Sequence, residues 1–185
     1  MIEAIVRFAF VVMVAAAAEA GEALVPEPDA YRLGDYRAPT PATLQGAGVI
    51  GTDEAETIWR SHSASFVDVL PRAPRPRDLP EGTLWRDKPR PNIPGGIWLP
   101  DTGYGELAPR MAGYFSKGLE KATNGDRART LVVYCLADCW MSWNAAKRAL
   151  SLGYSDVAWY PERTDGWLAA GLPLEDATPE PRPEE

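Results

Sequence analysis

Apolar and polar positions along this chain follow two periods in alternation. Short apolar runs at residues 48–50, 65–70, 131–134 and 157–160 are bounded by turn and cap residues and read as strands. Residues 93–100, Ile-Pro-Gly-Gly-Ile-Trp-Leu-Pro, predict a turn and a further short strand. Between these lie stretches of helical period. Residues 54–60 predict a helix capped by Thr52 or Asp53, with its acidic residues in the first turn. Residues 106–123 place Leu107, Met111, Tyr114, Phe115 and Leu119 near a 3.6-residue spacing, and Asn124-Gly125 stops them. Residues 142–150 run to a glycine cap at Gly153, and 165–171 make a short last helix. Strands alternating with helices predict an α/β fold with a parallel sheet. No internal repeat is visible.

Composition divides the 185 residues into segments. The eighteen prolines cluster near 26–41, 71–100 and 173–183. Residues 21–46 show no sustained period and predict an extended Pro/Tyr-rich arm. Residues 47–175 form the domain, and the Pro/Glu-rich 176–185 a disordered tail. The Pro/Arg-rich stretch 71–92, which includes Trp85, is long enough to be a functional loop or a cover. Residues 8–18 are uncharged and mostly small and apolar. Ala18 and Ala20 stand before a possible cut at Gly21, the pattern of a cleavable signal peptide (residues 1–20) that is too short for a comfortable membrane span. These features predict a secreted protein with no integral span after cleavage, a retained anchor being the alternative, and put its two cysteines in an oxidising compartment. A net charge of −7 and scattered basic residues argue against a nucleic-acid partner.

The chemistry concentrates in Cys135-Leu136-Ala137-Asp138-Cys139-Trp140, which holds both cysteines between the 131–134 strand and the next helix. A thiol at the carboxyl end of a parallel strand, facing the free amides of a helix start, is placed for a thiolate or an anion. Three readings follow. Cys135 and Cys139 are a redox or persulfide-forming pair, with Cys135 as nucleophile and Cys139 as resolving thiol. Alternatively, a disulfide shapes the loop of a non-catalytic binding module. In the third, the pair is purely structural, a loop this short contributing about 2 kcal/mol. Leu136, Ala137, Asp138, Trp140, Met141 and Ser142 are the candidate loop and substrate-binding residues, and Asp68 a supporting one that anchors loops. His62 is the only histidine and sits in a polar segment, so no zinc set is predicted. Trp143, Trp159 and Trp167 read as core; Trp85 and Trp98 are candidates to line a pocket, with core packing the simpler reading.

Several pieces together resemble the rhodanese-like domain. These are Phe66-Val67-Asp68, Ile93-Pro94-Gly95-Gly96, Val132-Val133-Tyr134-Cys135, the 144–150 helix with Gly153-Tyr154, and Gly166-Trp167 through Gly171-Leu172-Pro173. The resemblance implies a five-stranded parallel sheet flanked by helices, with Cys135 at the nucleophile position. It also implies a loop arginine that binds the anionic donor; Trp140 and Met141 stand there instead, and the loop is one residue longer. Thiosulfate activity is therefore placed in doubt. The arm at Tyr31–Pro41, Asp68-Val69-Leu70-Pro71, Trp98-Leu99-Pro100 and the Cys-x-x-x-Cys-Trp run are similar to the secreted CxxCW-motif proteins associated with pyrroloquinoline quinone (PQQ)-dependent catabolism. That likeness implies a periplasmic protein with partners among quinoprotein alcohol dehydrogenase pathway components. No tightly bound cofactor is expected; a persulfide on Cys135, or binding of a quinone cofactor, are the loads it suggests.

Overall fold

The computed structural model describes residues 25–74, 76–84 and 88–182; the segment expected as a signal peptide, and Trp85, lie outside them. The elements run β1 (Gly48–Val49), α1 (Thr52–Ser61), β2 (Ala64–Asp68), β3 (Arg90–Asn92), β4 (Ile97–Trp98), α2 (Pro109–Thr123), β5 (Thr130–Tyr134), α3 (Trp140–Ser151), β6 (Val157–Trp159), α4 (Arg163–Ala169) and β7 (Glu175–Ala177). Five strands make a parallel sheet in the order β1-β6-β5-β2-β4. The expected five-stranded α/β sandwich is what forms.

Central strand β5 is apolar at successive positions because both faces are covered. Leu131 and Val133 point into a core shared with α2 and α3, where Phe115, Leu119, Trp143 and Ala146 pack. Val132 and Tyr134 point the other way, toward Ala55 of α1 and Trp167 of α4. Full burial of each such large side chain is worth about 1.5–3 kcal/mol. A charged residue at 132 or 133 would break the sheet from either side.

Chain order reverses between β2 and β5. The chain reaches β2, moves outward to β4, then returns to β5 and continues to β6 on the far side. The crevice beyond the carboxyl ends of β2 and β5 is thus the topological switch point, where open α/β sheets bind ligands. Asp68 ends β2, and Cys135 follows β5.

Four local expectations change. Helix α1 is not capped by Thr52 or Asp53. Gly51 holds the cap position, and the Glu162 carboxylate, from the turn before α4, accepts the Thr52 amide at 2.8 Å. Helix α2 starts at Pro109, because the residue before a proline is held extended and Pro suits the first helical position. Helix α3 starts at Trp140, two residues early, which makes Cys139 its N-cap. The tail expected to be disordered is ordered through Arg182. Strand β7 pairs antiparallel with β3, Glu180 donates its amide to the Trp98 carbonyl at 2.9 Å, and Lys121 pairs with Glu180 at 2.6 Å. Backbone pairing with β3, a segment of the Pro/Arg-rich loop, overrides the tail's polar composition.

Candidate functional site

Strand β5 delivers Cys135 into the switch-point crevice, fully buried at 0% exposure. Its backbone carbonyl is pinned by the Thr164 hydroxyl at 3.4 Å and the Arg90 guanidinium at 3.3 Å. Beyond it the chain turns sharply. Asp138 sits in the left-handed region at φ 47°, exposed, and the Ala137 amide donates to the Asp165 carboxylate at 2.8 Å. The turn brings Cys139 back over Cys135. The Cys135 thiol lies 3.6 Å from both the Leu136 and Cys139 carbonyls and donates toward the Cys139 sulfur. Both cysteines carry free thiols.

The two sulfurs differ in environment. Burial pushes the Cys135 thiol well above its ordinary value, and the Cys139 sulfur beside it adds to the shift. Cys139 goes the other way, down to about 6 from 9.0. The hydrogen bond from Cys135 is the largest cause; the Met141 and Leu136 amides and the Arg37 charge assist against burial. Cys139 makes no capping hydrogen bond of ordinary geometry. The helix-start amide that favours its thiolate is that of Met141, a smaller influence than the Cys135 hydrogen bond. Beneath the pair, the buried Ser142 hydroxyl donates to the Cys139 carbonyl at 3.2 Å and accepts from the Trp159 indole at 3.1 Å.

A cavity of about 470 Å³ opens over this loop. Its apolar wall includes Leu70, Pro71, Trp98, Leu136 and Met141, and Cys139 lies at its floor. Arg37, Lys88 and Arg90 also line it, with no acidic side chain among the described residues. Arg90 is held from below by Asp68, which is wholly buried and also accepts the Leu70 amide at 2.8 Å. Burial outweighs the guanidinium and leaves the Asp68 carboxyl above its ordinary value. Through these contacts Asp68 ties the end of β2 to the loop bearing Arg90.

Leu136, Cys139 and Met141 of the expected set face the cavity; Cys135, Ala137, Asp138, Trp140 and Ser142 do not. Trp140 belongs to the arm instead. Its amide donates to the Tyr36 carbonyl at 2.9 Å, its indole to the Pro39 carbonyl at 3.1 Å, and the Arg32 guanidinium lies 5.2 Å over its ring. Asn144, fully buried on α3, accepts the Arg32 amide and donates to the Arg32 and Gly103 carbonyls. So the arm is fastened to α3 and carries Arg37 to the cavity. Sequence reasoning missed Arg37, Lys88 and Arg90. The one available signal was cationic residues in two Pro-rich segments, which has no local period to place it.

Among the described residues no three His, Cys, Asp or Glu side chains converge as a metal set. No helix among them is long and apolar enough to cross a membrane.

No family model matches the chain, and no curated protein does. Solved structures do. A variant of EanB in complex with ergothioneine matches at 20% identity and TM-score 0.50, over 71% of this chain and 32% of that one. A persulfide form of EanB, in a tetrahedral intermediate state with ergothioneine, matches at 19% and 0.50 over the same shares. The fold is rhodanese-like. A thiosulfate sulfurtransferase from Pseudomonas aeruginosa aligns at 18% identity and TM-score 0.49, over 75% of this chain and 22% of that one. This rhodanese-like chain thus spans a third or less of these three neighbours' length.

Proposed function

We propose that this protein accepts sulfane sulfur from an anionic donor, with Cys139 as the attacking thiolate. The observation that carries the reading is the placement of Cys139. It caps α3 at the floor of a cavity whose charged lining is entirely cationic among the described residues. The thiolate attacks the outer sulfur of a donor such as thiosulfate. A new sulfur–sulfur bond forms on Cys139, the donor's own sulfur–sulfur bond breaks, and sulfite leaves with the bonding pair. Cys139 is left as a persulfide anion facing the Met141 and Leu136 amides, which stabilise negative charge where it develops. The loop arginine that the resemblance led one to expect is absent, and its counter-charge comes from elsewhere. Arg37 arrives on the arm and Lys88 on the Pro/Arg-rich loop, while Arg90 is already neutralised by Asp68.

The test is mass spectrometry of the intact protein after treatment with thiosulfate or an organic thiosulfonate. One added sulfur mapped to Cys139, and lost in Cys139→Ser, supports the reading; a sulfur atom mapped only to Cys135 would falsify the assignment of the nucleophile. The same cavity, with cations around apolar walls and Trp98, also suits a carboxylated aromatic quinone. That is the binding-module alternative. Saturable quenching of tryptophan fluorescence by the quinone, unchanged in Cys139→Ser, would favour it.

We further infer a periplasmic site of action beside quinoprotein alcohol oxidation. The uncharged run at residues 8–18, the small residues before Gly21 and the resemblance of the cysteine loop support this. Sequencing the amino terminus of protein from a periplasmic fraction tests it: a chain starting at Gly21 is the expected result, and an uncut chain confined to the cytoplasm the contrary one.

A further inference from the structure

We propose that Cys135 is the internal acceptor for the sulfur taken up on Cys139, so that the site releases sulfur as hydrosulfide. The step rests on uptake at Cys139 as argued above. Cys135 is sealed from solvent, does not line the cavity, and is packed against Cys139, whose carbonyl its thiol reaches at 3.6 Å, in a turn closed by left-handed Asp138. Its carbonyl is fixed from two sides, by Thr164 and Arg90, and its thiol points into the loop. A thiol in that position has one sulfur partner, the inner sulfur of a Cys139 persulfide.

The chemistry balances. The Cys135 sulfur attacks the inner sulfur of the Cys139 persulfide and forms the Cys135–Cys139 disulfide. The persulfide bond breaks, and the outer sulfur leaves with the bonding pair and the Cys135 proton as HS⁻. The sulfane sulfur is reduced by two electrons and the two cysteines are oxidised by two. A small dithiol then resets the pair by exchange, becoming a disulfide itself. The cationic lining of the cavity, Arg37 and Lys88 above all, favours an anionic leaving group. Burial keeps the Cys135 thiol protonated until the persulfide is beside it, so it does not compete for donor.

Sulfide release by this route needs a second cysteine, and needs it buried beside the first. A sulfurtransferase that passes sulfur to an outside acceptor needs one thiol and an open mouth. Here an occupied acceptor position is already built into the loop.

The experiment uses the full chain, anaerobically and without reductant, with thiosulfate or an organic thiosulfonate as donor. Released sulfide is trapped with a bimane reagent, and the protein mass is read in parallel. Wild type should release one sulfide per chain, then stop with the disulfide formed; adding a dithiol should restart it. Cys135→Ser should hold the sulfur as a persulfide on Cys139 and release none, and Cys135→Ala, with folding checked by circular dichroism, should do the same. The proposal is overturned if wild type keeps its persulfide as stably as the variants, or if the variants release sulfide as wild type does. If no protein, variant or wild type, takes up sulfur, uptake at Cys139 fails first and this step falls with it.

Discussion

The two ends of the sheet carry similar residues and do different things. At the amino end, a cavity of about 260 Å³ is lined by Trp59, His62, Ser65, Phe66 and Arg129 among others. There Arg129 donates to the Ser65 hydroxyl at 2.8 Å and to the His62 and Ala64 carbonyls, and Ser65 donates to the Ala122 carbonyl. The polar groups are consumed in joining loop to strand. At the carboxyl end Arg90 is consumed likewise, by Asp68 and the Cys135 carbonyl. But Arg37 and Lys88 have no acidic partner among the described residues, and they share their cavity with Cys139, the cap of α3, whose pKa is lowered to about 6. An arginine in a cavity is therefore not a mark of function. What separates the two ends is unspent charge beside a cysteine at the switch point.

The largest break in this comparison is Asp68→Ala. It strands the Arg90 guanidinium, itself only 10% exposed, with no counter-charge, and a buried pair broken on one side costs about 3–5 kcal/mol. Arg129→Ala at the other end removes hydrogen bonds at a partly exposed site and should cost about 1 kcal/mol. Urea unfolding of the two variants gives the contrast. Equal losses would mean that Asp68 and Arg90 are no more than another weld.

The strand–loop–helix that places the cysteines was legible in the sequence because β5 is a continuous apolar run and the next helix has its own period. The cavity above it was not. Arg37 and Lys88 lie in segments where proline suppresses any period, and their position depends on contacts far along the chain. Asn144 ties down the arm more than a hundred residues away, and β7 ties down β3. Trp140 and Met141 were both candidates for binding substrate in the loop, but neighbours on a helix point in different directions. One faces the arm and the other the cavity. The capping position of Cys139 was hidden for a related reason: a two-residue shift in the start of α3 turns it from a loop residue into the cap.

A second effect concerns the thiols themselves. Alkylation of Cys139 by neutral iodoacetamide should rise with pH through a midpoint near 6. Because the hydrogen bond from Cys135 is the chief cause, Cys135→Ala should move that midpoint up toward 9.0, slowing alkylation at pH 7 about twofold if the midpoint reaches 7 and about ninetyfold if it reaches 9.0. A midpoint unmoved by the substitution would assign the thiolate to the helix start alone. Stability follows with a definite sign. The folded pKa of Cys139 lies below the unfolded one, so its contribution is fully present above about pH 9 and is lost as pH falls through about 6. Cys135, shifted upward, opposes this once the unfolded thiol begins to ionise near 9.0.

The smallest effect is the most selective. Arg37 is exposed, so its charge is partly screened by water, and Arg37→Gln should weaken use of an anionic donor only about two- to fivefold, as for other exposed charges. The loss should appear in KM rather than kcat, and should vanish near 1 M salt, where the screening length is about 3 Å. Alkylation by neutral iodoacetamide should change only as far as Arg37 helps hold down the Cys139 pKa, where it is the last of the causes. The arm itself stays in place, because Asn144, Trp140 and the Tyr36 carbonyl hold it without Arg37. If the variant instead loses neutral alkylation and donor use alike, the arm acts by shaping the loop, and the unspent charge that distinguishes this end of the sheet would have to be Lys88 alone.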